Sequence, residues 1–267
     1  MATPLPSGVF QAQMKNGSIY YRSSITYRMK HISLGSFSDM DAAHTCYLEA
    51  SQTLNSNDYS IDDYEDLPFS CLSLEKYVSL CNFRDNGMYF KNPIYLYSNY
   101  FKYFYSKDIV FTFDVDDLFF YSKHKIMKRG GHLFISDYGM QVNILSRYGI
   151  KNHAVNGKDY EFVNQDSTDF RYKNIRIINR YYGVFQENKN TGIKYVTKIH
   201  LNGDYIIGRY VNEIDAAIAY NKAVDYANNQ GCTIEFCKNY IENQSSIEYA
   251  SRYQSIKLSK KFMEYFQ

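Results

Sequence analysis

The sequence predicts a multi-domain α+β protein, and three observations carry that prediction. A pattern near the start of the chain recurs near its end, each copy reads as three short strands followed by a helix, and 267 residues are, as a prior, enough for about two domains of roughly 150 residues. Apolar residues make up 45% and charged residues 22%, which excludes both a disordered and a collagen-like chain. Aromatics reach 18%, as 29 Tyr and 18 Phe without Trp, a load suited to interlocked cores and interfaces because a tyrosine packs its ring while its hydroxyl stays wet.

The first copy spans 1–54. Strands over Gly8 to Met14 and Ile19 to Thr26 flank Lys15-Asn16-Gly17, and Asn-Gly between β-formers is a strong hairpin signal. A third strand, Lys30 to Phe37, leads into Ser38-Asp-Met-Asp41, where a capping oxygen is followed three residues later by a carboxylate and a helix starts. Ala43, Cys46, Tyr47, Ala50 and Leu54, three and four apart, form the inner face of that helix.

Residues 55–107 read as a linker followed by a connector. Asn55 to Asp66 holds Asp58, Asp62, Asp63, Glu65 and Asp66 without a Lys or Arg, so like charges repel and nothing apolar demands burial. Leu67 to Tyr105, with Tyr95-Leu-Tyr97 and Tyr100-Phe-Lys-Tyr-Phe-Tyr105, reads as a packed, aromatic, helical connector. A central block, 108–180, follows, and its basic run Lys123, Lys125, Lys128 and Arg129 ends in Gly130-Gly131.

The second copy spans 181–231. Gly8-Val-Phe-Gln11 recurs as Gly183-Val-Phe-Gln186, Leu34-Gly-Ser-Phe37 recurs in kind as Ile207-Gly-Arg-Tyr210, and Ala43, Tyr47 and Ala50 fall on Ala216, Tyr220 and Ala223. Asn190-Thr191-Gly192 and Asn202-Gly203 mark turns between strands Gly183–Glu187, Ile193–Leu201 and Asp204–Tyr210, and Asn212-Glu-Ile-Asp215 starts the helix. Its inner face is Ala216, Ala217, Tyr220, Ala223, Val224 and Ala227. The last segment, 232–267, is expected to be helical, with Ile247, Ala250, Tyr253, Ile256 and Phe262 in helical rhythm as a cap on the core or the surface of a homodimer.

The strand-strand-strand-helix order resembles the Apetala-type (ethylene-response-factor) DNA-binding domain. The resemblance rests on Gly183-Val184, Lys194-Tyr-Val-Thr-Lys-Ile-His200, Ile207-Gly-Arg-Tyr210 and Ala216-Ala-Ile-Ala-Tyr220, and in the first copy on Gly8 to Ala50. It implies that the sheet enters the major groove of duplex DNA, which is wide enough for a β-ribbon. The groove-facing positions would be Ser24, Thr26, His31 and Ser33 in one copy and Lys198, His200, Asp204 and Ile206 in the other. Nearby Arg22, Arg28 and Lys30, and Lys189, Lys194 and Arg209, would hold phosphates, which anchor a protein without reading sequence. The family's arginines and tryptophans are largely replaced, so the resemblance carries the fold and the contacting face rather than a base preference.

The central block is similar to the HNH endonucleases often fused to such domains. Phe113-Asp-Val-Asp-Asp117 with Tyr121-Ser-Lys-His-Lys125 matches their leading segments, and Asn164-Gln-Asp166-Ser-Thr-Asp169-Phe-Arg171-Tyr-Lys-Asn174-Ile-Arg176 matches their Asn- and Asp-rich closing motif. That chemistry needs a histidine to deprotonate water and a further set of ligands for a divalent ion. Here the positions read Glu161-Phe162 and Asn143-Ile-Leu145, and a phenylalanine neither takes a proton nor binds a metal. A degenerate HNH-like ββα domain is therefore expected, without catalytic residues, metal or cofactor, whose Lys123, Lys125, Lys128, Arg129, Arg171, Lys173, Arg176 and Arg180 retain a duplex contact. His124, His132 and His153 read as packing or surface histidines, and Asp114, Asp116 and Asp117 as a strand-end turn or surface acids.

The function expected is a noncatalytic duplex-DNA binder, a transcription regulator derived from a homing endonuclease. Two other classes stand beside it: an endonuclease or nickase with rearranged residues around Glu161, His153 and Asn174, and a protein-interaction or assembly protein using its tyrosine-rich surfaces. A net charge of +2 decides between none of them, because a global balance hides local patches. No run approaches the ~18 apolar residues of a membrane helix, and the start has neither a basic nor an apolar leader, so a cytoplasmic protein is expected. Cys46, Cys71, Cys81, Cys232 and Cys237 show no paired spacing and read as inert thiols rather than disulfides or a zinc site.

Overall fold

The computed structural model describes residues 4–56, 58–189 and 192–267. The turn residues Asn190 and Thr191 and the side chain of Lys189 lie outside the described residues. The chain is α+β, built from small antiparallel sheets, and it forms two compact units. One holds 1–143 and 166–174, the other 144–165 and 175–267, so the block 108–180 is divided between them.

The first unit opens with β1 (Val9–Gln13), β2 (Ile19–Tyr27) and β3 (Lys30–Phe37), a sheet in the order β1-β2-β3, followed by α1 (Met40–Asn55). Asp39 rather than Ser38 caps the helix, its carboxylate accepting from the Ala42 amide at 2.8 Å, so the start lies one residue later than the capping pattern suggested. Ala43, Cys46, Ala50 and Leu54 are buried against the sheet. Gly8 adopts φ +75°, where L side chains are strained, and a Cβ there would fall inside the Tyr47 ring. Its carbonyl accepts from the Ser24 amide at 2.9 Å, beside a register shift between Ser23 and Ser24.

The acidic stretch is not a free linker. Ile61 is buried, Tyr59 and Tyr64 pack on the same core, and the Tyr77 hydroxyl donates to the Ser60 carbonyl at 2.5 Å. Two tyrosines and an isoleucine outweigh the charges, which stay at the surface. The connector is likewise only partly helical. After α2 (Leu74–Asn86) come β4 (Ile94–Leu96), β5 (Tyr100–Phe104) and β6 (Val110–Asp114), a sheet in that order. Within β5, Phe101 and Tyr103 are buried while Tyr100 and Lys102 are not, and this alternation of period two belongs to a strand. Then follow α3 (Leu118–Lys123) and the sheet of β7 (Met127–Arg129), β8 (His132–Asp137) and β9 (Met140–Asn143).

Residues 166–174 return beside β6: the Thr112 amide donates to the Thr168 carbonyl at 3.0 Å and the Phe170 amide to the Thr112 carbonyl at 2.8 Å. Phe170 then stacks on Phe113 with ring centroids 5.5 Å apart.

In the second unit β10 (Tyr160–Phe162) pairs with β11 (Ile175–Ile177), and β12 (Val184–Lys189), β13 (Gly192–His200) and β14 (Asp204–Tyr210) form a sheet in that order, followed by α4 (Glu213–Asn229). The frame of the first copy recurs in detail. Gly183 has φ +66° with the Tyr220 ring where its Cβ would be, its carbonyl accepts from the Lys198 amide at 2.7 Å, and the register shifts between Thr197 and Lys198. Gly208 leaves room for the Tyr210 ring as Gly35 does for that of Phe37. The residues that betray the repeat in sequence are thus glycine–aromatic contacts that set the frame.

The last segment is helical only from Ser246. Residues 232–241 carry neither helix nor strand and are held by side-chain amides: the Asn239 amide N–H donates to Asn221 Oδ1 at 2.7 Å while Asn221 Nδ2 donates to the Asn239 carbonyl at 2.9 Å. In α5 (Ser246–Ser255) the stripe differs from the expected one, with Ile247 83% exposed and Ala250 exposed. Tyr253 does pack on the core as expected, joined by Tyr249 four residues before it, and after them the expected Ile256 and, in α6 (Lys260–Met263), Phe262 are buried as a cap.

Candidate nucleic-acid interface

Alternation along each strand divides the sheets β1–β3 and β12–β14 into a helix-covered inner face and an outer face. In the first module the pairs Phe10 with Arg22, Ala12 with Tyr20, Ser24 with Ser33 and Thr26 with His31 place these residues on the outer face. Arg22 is its cation among the described residues, braced by Tyr20, whose hydroxyl accepts from Nη2 at 2.6 Å. Thr26 Oγ1 lies 3.5 Å from His31 Nδ1. Ser24 is buried between longer neighbours, at 7% exposure, which leaves little of it for a groove.

Arg28 and Lys30 do not join this face. Lys30 pairs with Tyr27, on the inner side, and its ammonium sits 5.1 Å from the Tyr89 ring. Arg28 donates to the Phe83 carbonyl at 3.3 Å, near the end of α2, where a cation complements the helix dipole. Both expected phosphate contacts are engaged inside their own unit.

The second module presents a basic outer face. Lys194, Val196, Lys198 and His200 alternate along β13, with Phe185 and Arg209 opposite Val196. The Phe185 ring has the Lys198 ammonium 5.4 Å and the Lys158 ammonium 4.8 Å from its centroid. Arg209 is 3.8 Å from Glu187, a loose and largely exposed pair that leaves its charge available. His200 Nδ1 and Asp204 Oδ1 are 2.8 Å apart, and this hydrogen bond holds the Asp204 carboxyl below the usual carboxylate range. Lys158 and Phe185 are additions to the contacts expected from the sequence. Phe185 was readable as the counterpart of Phe10, whereas Lys158 comes from a loop whose spacing carries no signal.

The remaining basic residues separate into engaged and open ones. Lys125 pairs with Glu75 at 2.5 Å, Arg171 forms a two-point pair with Asp169 at 2.6 and 2.8 Å, and Arg176 pairs with Glu161. Arg180 meets Glu242 at 2.8 Å. Lys123, Lys128, Arg129 and Lys173 are exposed.

The motif resembling an HNH closing segment is a self-capped loop. Asp166 Oδ1 accepts from the Thr168 amide at 2.8 Å, Asn174 Nδ2 donates to the Asp169 carbonyl at 2.8 Å, and the Asp114 carboxylate accepts from the Tyr172 amide at 2.7 Å. Phe162 is buried in β10. Glu161 and His153 belong to the second unit and Asn174 to the first. Among the described residues no three His, Cys, Asp or Glu side chains gather in a way that would hold a metal ion, the five cysteines are free, and no helix is long and apolar enough to cross a membrane. Comparison of the chain with protein-family models, with curated proteins and with solved structures found no match.

Proposed function

We propose that this chain is a noncatalytic, sequence-specific duplex-DNA-binding protein, a transcription regulator derived from an HNH homing endonuclease, which contacts DNA through the outer faces of its two sheet-plus-helix modules. The observation that carries the reading is the basic face of the second module, where Lys158, Lys194, Lys198 and Arg209 surround Phe185 on an antiparallel ribbon. A ribbon of this kind fits the major groove, and cations on it meet the phosphates on either side. Phe162 and Asn143, at positions where the resembled family has catalytic residues, support the noncatalytic reading.

Selection of binding sites from random duplexes, followed by incubation of the selected duplex with magnesium or manganese, tests the proposal. One site should bind far more tightly than random DNA, and four neutralised phosphates give a log–log salt slope of about −3.6. Intact DNA is expected after incubation. Metal-dependent cutting would instead make the protein a nuclease, and no salt-dependent retention on duplex would make it a protein-interaction module.

A further inference from the structure

The first unit contains a cleft of about 610 Å³ lined from β5, α2 and the β7–β9 sheet. Its size falls in the range of roughly 300 to 1,000 Å³ typical of small-ligand sites. The floor is rigid: the Ile126 amide donates to the Tyr103 hydroxyl at 3.1 Å, and both residues are almost wholly buried. Burial pushes that phenol up to about 12, so it stays a neutral hydroxyl.

Three kinds of group converge above this floor. Tyr105 and Phe134, both half-buried, give the walls flat apolar surface. Arg129 stands exposed at the rim, and among the described residues it has no ion-pair partner, whereas the neighbouring Lys125 is matched by Glu75. Gln141 lies on the same face of the sheet as Phe134 and Arg129, since the pairs Met127 with Phe134, Arg129 with His132 and Ser136 with Gln141 are in register. Its amide offers both a donor and an acceptor.

We infer that this cleft binds an unpaired nucleotide, with the base against Phe134 and Tyr105, its edge within reach of Gln141, and the phosphate at Arg129. Aromatic walls take any base by stacking, and an uncompensated guanidinium selects an anion over a neutral ring. The chemistry is shared by a free nucleotide and by an unpaired residue of a strand. The inference goes beyond the proposed duplex contact and involves none of its residues in the second module.

Calorimetric titration of the full chain with thymidine 5′-monophosphate and with 5′-phosphorylated tetrathymidylate tests it. Tighter binding of the tetramer assigns the site to a strand, and equal binding assigns it to the free nucleotide. The Arg129→Ala variant should weaken tetramer binding about fivefold or more and flatten its salt slope by about 0.7, the loss of one phosphate contact on a single strand. Phe134→Leu keeps the apolar volume and removes the π-face, and should weaken both probes about fivefold or more. Lys257→Ala, at an exposed lysine of the second unit outside both sites, should change neither. No heat with either probe at millimolar concentration, unchanged affinity in both cleft variants, or an equal loss in Lys257→Ala would overturn the inference.

Discussion

Replacing Gly183 with alanine tests whether the glycine–tyrosine contact sets the module frame. At φ +66° a residue with a Cβ is strained by about 1 to 2 kcal/mol. The new methyl would lie within 3.0 Å of the Tyr220 ring and of the Lys198 carbonyl oxygen. The carbonyl cannot retreat easily, because the amide of the same Lys198 donates to the Gly183 carbonyl at 2.7 Å. Tyr220 cannot swing out either, being 8% exposed within the α4 core. Overpacking of that kind costs about 1 to 3 kcal/mol, so the total is about 2 to 5 kcal/mol. Because the chain has two units, the loss should be read locally, as faster hydrogen exchange in β12–β14 and α4 in native buffer, with β1–β3 unchanged. Gly203→Ala is the control, since nothing lies within 4 Å of its Cβ and its φ is not left-handed; it should be neutral or stabilise by up to about 1 kcal/mol. Gly183→Ala exchanging like Gly203→Ala would refute the argument.

Three further outcomes are expected. Glu49→Ala should destabilise the first unit by about 3 kcal/mol or more in urea unfolding, because its buried carboxylate accepts from the Ser70, Cys71 and Leu72 amides at 2.8, 3.0 and 2.6 Å, and removing it orphans all three; Glu49→Gln should retain part of that. Lys198→Ala should weaken cognate duplex binding by about 1 to 3 kcal/mol with relaxed discrimination if Lys198 meets a base edge, and equally on all duplexes if it meets a phosphate; unchanged retention would remove it from the interface. Burial pushes the Cys46 and Cys81 thiols up to about 12, so at pH 8 on the order of one in ten thousand is thiolate. Iodoacetamide should therefore label exposed Cys237 first, by peptide mass, and reach Cys46 and Cys81 only after unfolding.

The modules were legible because each rests on local signals: Asn16-Gly17 turning a hairpin, alanines three and four apart on a helix, and glycines whose recurrence marks a contact rather than a turn. The middle was not, because its decisive contacts are non-local. Ile61 gives no hint in an acidic stretch that it will be buried, and Glu49 reads as one more surface carboxylate until the amides of residues 70–72 are brought to it. The expected site was legible as strand positions but not as charges in use. Sequence spacing placed Lys30 near the outer face, and a two-residue turn after Tyr27, with Arg28 and Met29 both at positive φ, paired it with Tyr27 on the inner one.

The two modules keep one frame and differ in what they expose, and the difference follows from three positions on it. Arg22 of the first corresponds to Val196 of the second, both opposite the shared phenylalanine, Phe10 or Phe185, while Ser24 corresponds to Lys198 and Ser36 to Arg209. The first module therefore keeps its charge at the centre of the sheet and short hydroxyls around it, and Phe10 remains 55% exposed. In the second the apolar pair sits at the centre, with Val196 fully covered and cations over Phe185. On the proposed function, the second arrangement suits phosphates on both sides of a groove and supplies the salt-dependent part of binding. The first, with one cation and several hydroxyls, has little to give to non-specific attraction. Its contribution would lie in hydrogen bonds to base edges, which discriminate between sequences more than they add affinity. Removing residues 1–54 cannot isolate that contribution, because Ile32, Leu34, Cys46 and Leu54 share one core with Tyr77, Val78 and Leu80 of α2, and the remainder of the first unit would lose its packing with them. Side-chain changes on the outer face, at Arg22, Thr26 and His31, alter the surface and leave that core intact.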